Sequence, residues 1–109
     1  MDEKMGKMKI IYGNFSTESA RRDIEFLSNS LMALGVEEII MKIPPEKTER
    51  VPVDGSLRFR LFGSLIGGSL VELVIEAPME VLSYLEEELG SGLSSAIITV
   101  EATSRLAMN

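Results

Sequence analysis

Cysteine, histidine, tryptophan and glutamine are all missing from this chain of 109 residues. Without cysteine there is no disulfide framework, no zinc ribbon and no thiol nucleophile. That composition fits a reducing compartment and points to the cytoplasm. Without histidine the commonest general base and the commonest transition-metal ligand are lost as well. A serine or threonine nucleophile has no imidazole to activate it, so neither a catalytic residue, a metal site nor a cofactor is expected. Aromatic residues make up only 6% of the chain. Ile11 and Val74 stand where a sheet that binds single-stranded RNA would carry stacking rings. Long hydrophobic runs are also lacking. The longest, Leu61 to Ile75, is too short for a membrane-spanning helix and contains Glu72. Lys4, Lys7 and Lys9 are not followed by the apolar core of a signal peptide.

What the chain has is enough apolar material for one core, at 45% hydrophobic residues, and a net charge of −6. A negative domain repels phosphate backbones, so neither nucleic acid nor membrane is an expected partner. The length fits one domain, placed at 8–105, with a disordered segment at 1–7 and a tail at 106–109. Glu, Lys and Arg are abundant and thermolabile residues scarce, which suggests a thermophilic source; the seven methionines run against that.

The apolar period divides the domain. Met8 to Tyr12 reads as a first strand. Ala20, Ile24, Leu27, Leu31 and Leu34 recur at helical spacing, with Gly35 as the stop. Val36 to Ile43 alternates as a second strand that Pro44-Pro45 ends. Residues 44–69, rich in proline, glycine and charge, read as a long arm, either an extended mobile loop or a ragged hairpin. Within it Leu57, Phe59 and Leu61 alternate with Arg58, Arg60 and Phe62 as a strand extension. Leu70 to Glu76 is a third main strand, and Val81, Leu82, Leu85 and Leu89 stripe a second helix that Gly90 stops. Residues 95–102 form the last strand. The order predicts an α+β, ferredoxin-like βαββαβ sandwich: an antiparallel sheet with both helices on one face, and a long arm between strands 2 and 3.

With helices on one face, the other face should be polar where it meets water. Instead each strand turns one apolar residue outward, Ile11, Ile40, Val74 and Ile97, among Lys9, Glu38, Lys42, Glu72, Glu76, Thr99 and Glu101. An apolar patch rimmed by charge predicts an oligomer interface; β-branched residues chosen for strand propensity are the plainer alternative. Glu86-Glu87-Glu88 reads as a solvated helix face. Arg58 and Arg60, two residues apart on an extended segment, would share a side and can hold a phosphate or carboxylate, or can guard a sheet edge. Gly90-Ser91-Gly92, read as a turn, offers bare backbone N–H groups to an anion, or is a helix stop and connection only.

The stretch Leu34-Gly35-Val36-Glu37-Glu38, the long interval before Leu70-Val71-Glu72-Leu73-Val74-Ile75, and the Gly90–Ser94 turn give a layout that resembles the PII-like and CutA-like proteins. That resemblance implies a trimer of ferredoxin-like domains joined through sheet surfaces, with residues 44–69 as the partner-touching loop and Gly90, Ser91 and Gly92 near nucleotide phosphates. Leu93, Ser94 and Ser95 stand where the family's basic phosphate contacts are expected, and the Cys or His of copper-binding members is lacking. The function expected is a homo-oligomeric, regulatory protein that binds a small anion and catalyses nothing. Two alternatives remain: an ACT-like amino-acid-sensing or dimerisation module using Gly13 and Asn14, and an enzyme with its site between subunits.

Overall fold

Alternate residues of the first strand, Met8, Ile10 and Tyr12, are buried while Lys9 and Ile11 are exposed, and this period of two sets the architecture. A computed structural model describes residues 4–13, 17–43, 47–66, 70–93 and 96–103. The elements are β1 (Met5–Tyr12), α1 (Thr17–Ala33), β2 (Glu38–Ile43), β3 (Lys47–Pro52), α2 (Gly55–Ile66), β4 (Val71–Pro78), α3 (Met79–Gly92) and β5 (Ala96–Ala102). The protein is α+β, with a five-stranded sheet in the order β3-β2-β4-β1-β5 and every pairing antiparallel. With β3 set aside, the strand order is compatible with a ferredoxin-like arrangement.

The core gathers Ile39, Met41, Leu73, Ile75 and the β1 residues under Ala20, Ile24, Leu27 and Leu31 of α1, Leu57 and Leu61 of α2, and Leu82, Leu85 and Leu89 of α3. Each side chain of this size, fully buried, stabilises the fold by about 1.5–3 kcal/mol. Helix α1 ends as its sequence predicts. Gly35 has φ +78, the Val36 N–H donates to the Leu31 carbonyl at 3.0 Å and the Gly35 N–H to that of Met32 at 3.1 Å. That is the paired closure that a left-handed residue permits.

Three expectations are corrected. Of the two readings of the arm the hairpin is the one found, with β3 paired along β2 and Val51 in the core, but Leu57 to Phe62 is helical rather than a strand extension. Leu57 and Leu61 are spaced by four as well as alternating, so their period is ambiguous, and a cap at the helix start accompanies the helical outcome. The Asp54 carboxylate accepts the Ser56 backbone N–H at 2.8 Å and its hydroxyl at 2.7 Å, satisfying a donor at the helix start. These bonds hold the Asp54 carboxyl below its ordinary pKa, the side-chain bond contributing most. Gly63 continues the helix, whereas 67–69 lie outside the described residues.

Second, α3 runs past Gly90 to Gly92. Third, β1 begins at Met5, so residues 5–7 of the segment read as disordered pair with β4 and β5. Gly6 gave no side-chain signal for a strand, yet a Cβ there would meet the Met79 sulfur at 2.2 Å. Its bareness lets α3 close over the strand.

Candidate interaction surfaces

Register shows how the outward-facing residues meet. Ile40 lies opposite Val74 and Ile11 opposite Ile97, while Val74 faces Lys9 and Ile11 faces Glu72. The four apolar residues therefore form a diagonal band of two pairs rather than one row. They differ in availability. Val74 is only 4% exposed although it points away from the core cluster, and Ile40 is half-buried. Ile11 and Ile97 are open, the latter at 64%.

Leu70, also open, lies over Gly13: a Cβ on Gly13 would strike the Leu70 side chain at 2.3 Å. The usable apolar surface is thus Leu70, Ile11 and Ile97 at one end of the sheet, not a centre at Val74. Charge borders it, with Glu72 opposite Ile11 and 3.9 Å from Lys42, and Lys9 next on the same face of β1. Leu70 lies just ahead of β4, so strand alternation alone does not assign it a face.

The anion candidates are rearranged. On a helix, residues two apart point to different sides, so the shared face expected for Arg58 and Arg60 is lost. Arg58 reaches Glu25 of α1 at 3.7 Å and Arg60 reaches Glu49 of β3 at 2.6 Å. Each ties α2 to a different neighbour. Gly90, Ser91 and Gly92 form the last turn of α3, not a loop. The Ser91 hydroxyl donates to the Glu88 carbonyl at 3.2 Å, and a Cβ on Gly92 would fall 2.2 Å from the Phe26 ring. Gly92 is therefore needed where α3 closes on α1. Asn14 of the Gly13–Asn14 pair lies outside the described residues, as do Ser94 and Ser95. Glu86, Glu87 and Glu88 are exposed, and no group of acidic residues among the described residues is arranged to hold a metal.

Two features were not anticipated. A cleft of about 480 Å³ between α1 and α2 is lined by Arg21, Ile24, Glu25, Arg58, Phe59 and Phe62. The Arg21 guanidinium lies 5.7 Å from the Phe62 ring centre, and Phe59 is 81% exposed. Reading 57–62 as extended had assigned Phe59 to the same side as Leu57 and Leu61. The second feature is a buried polar pair, in which the Tyr12 hydroxyl donates to the Asp23 carboxylate. The signal is Ala20, Asp23, Ile24 and Leu27, which share one helical face.

No protein family, curated protein or solved structure matches the chain. No helix among the described residues is long and apolar enough to cross a membrane.

Proposed function

We propose that this protein is a ferredoxin-like module, extended by β3 and α2, that self-associates through the helix-free face of its sheet and acts by binding rather than catalysis. The observation that supports this is the exposure of Leu70, Ile11 and Ile97 at one end of the sheet, Ile11 directly opposite Ile97 and Leu70 over Gly13. Exposed apolar groups that cluster and are bordered by charge favour burial against a protein surface. An assembly of sheets is also what the PII-like and CutA-like resemblance implies, with a regulatory role and a trimeric state as its finer reading.

The test is sedimentation at high micromolar concentration, comparing wild type with the Ile11→Lys, Ile97→Lys double variant. Wild type is expected to be oligomeric and the variant to stay folded at a lower mass. A monomeric wild type overturns the proposal. Val74→Lys is the wrong probe, because it would bury a lysine in the monomer. The ligand half of the reading is tested by calorimetry with ATP, ADP and cyclic nucleotides. Heat that is lost in the Arg58→Ala, Arg60→Ala double variant supports an anion site on α2, and absence of heat removes a nucleotide ligand.

A further inference from the structure

The two edges of the sheet are built differently. The β3 edge carries Lys47, Glu49 and Arg50 and ends in Pro52, which has no N–H. Charge and proline of this kind keep an edge from pairing with another chain. Among the described residues the β5 edge carries no proline and little charge. Its sequence, Ala-Ile-Ile-Thr-Val-Glu-Ala, is β-branched and apolar with a single charge. Its core-facing residues are also incompletely covered: Ile98 and Val100 are only partly buried, while their partners on β1, Ile10 and Met8, are fully buried.

The hydrogen-bonding phase of this edge follows from one contact. The Thr103 N–H donates to the Met5 carbonyl at 3.0 Å. In an antiparallel ladder alternate residues turn their backbone groups to the same neighbour, so Thr99 and Glu101 bond toward β1. Ala96, Ile98, Val100 and Ala102 turn their N–H and C=O groups away from the sheet.

We propose that this edge pairs with the same edge of a second copy, antiparallel, about a two-fold axis at Thr99 and normal to the sheet. Only this centre uses all four outward-turned residues: Ile98 bonds with the partner's Val100, and Ala96 with the partner's Ala102. Because the axis is normal to the sheet, core-facing residues stay core-facing, and the partner's Val100 completes the cover that Ile98 lacks. On the helix-free face Thr99 meets its own copy at a non-hydrogen-bonded position, where side chains approach most closely and two threonines pair well. Glu101 falls opposite the partner's Ile97 and keeps Lys7 on its other side, so no like charges are opposed. A second copy is the occupant that this register fits on both faces at once. The contact is independent of the sheet-face proposal.

The experiment uses the absence of native cysteine. Thr99→Cys, oxidised with glutathione disulfide, should form a covalent dimer far faster than Ser83→Cys, an exposed control on α3. Thr99→Glu gains a pairing with Lys9 inside its own sheet and opposes two carboxylates across the axis, so it should stay folded with its native mass halved relative to wild type. The Ile11→Lys, Ile97→Lys variant should still cross-link through Cys introduced at 99, because a lysine at 97 faces the partner's Glu101. Equal cross-linking of the two cysteine variants, an unchanged mass for Thr99→Glu, or occupation of the edge by a different polypeptide would overturn the proposal.

Discussion

At the scale of single residues, what decides the packing is often what a residue does not carry. Gly92 is the clearest case, since a methyl group there collides with the Phe26 ring. Gly92→Ala should destabilise the protein by about 1–3 kcal/mol, the usual cost of overpacking, and Phe26→Leu in the same chain should recover part of it. Chemical denaturation of the two single variants and the double variant measures this, and additive losses would mean the two do not touch. Tyr12 and Asp23 act in the opposite sense, by a bond made in a dry place. Tyr12→Phe removes the donor and leaves the hydrocarbon in place, so the loss of about 1–3 kcal/mol expected for a buried acceptor deprived of a partner is separable from a packing loss.

At the scale of elements, α2 is where the reading of the chain and its folded form part. Leu57, Phe59 and Leu61 fit a strand, and Leu57 with Leu61 fits a helix; the pattern alone does not choose. Burial does. Leu61→Ala is expected to cost about 2–5 kcal/mol, as for other buried leucines, while Phe59→Ala, at an exposed site, stays within about 0.5 kcal/mol. An extended segment would have made the two losses alike.

The cap gives a pH signature. The Asp54 carboxyl has a lower pKa folded than unfolded, so its contribution is whole above the ordinary aspartate range and is lost as pH falls through the folded value. The difference in Tm between wild type and Asp54→Ala should therefore be present at neutral pH and close up in strong acid, as scanning calorimetry at several pH values will show. Amide exchange in 57–61 and 48–51 should be protected as folded elements are, not as an arm would be.

On the scale of the whole molecule, the two proposed contacts with another copy use different parts of one sheet, its outward face and its β5 edge. A charge at Ile11 acts on the first, and a charge at Thr99 acts on the second. Measuring the mass of each variant and of the combined Ile11→Lys, Thr99→Glu chain separates them, and the combined chain is expected to be monomeric. The surface ion pairs, Arg50 to Glu38 and Arg58 to Glu25, are worth at most about 1 kcal/mol each. They orient α2 and β3 more than they hold them.

The sequence by itself determined what short-range periodicity and chemistry can determine. It settled the face of α1 and the glycine that ends it, the inward and outward sides of β1, β2, β4 and β5, and the lack of histidine and cysteine chemistry. These are legible because a period of two or of 3.6 residues reports which side of an element is dry. The tertiary structure decided the rest. Gly90–Gly92 is the end of a helix, and Phe26, distant in the chain, occupies the space a side chain at 92 would need. Arg58 and Arg60 parted because Leu57 and Leu61 turn toward the core on a helix. Val74 is covered by its own sheet, so the open apolar surface moved to Leu70, Ile11 and Ile97. Burial is a property of neighbours that are distant in the chain, and no local pattern encodes which neighbours those will be.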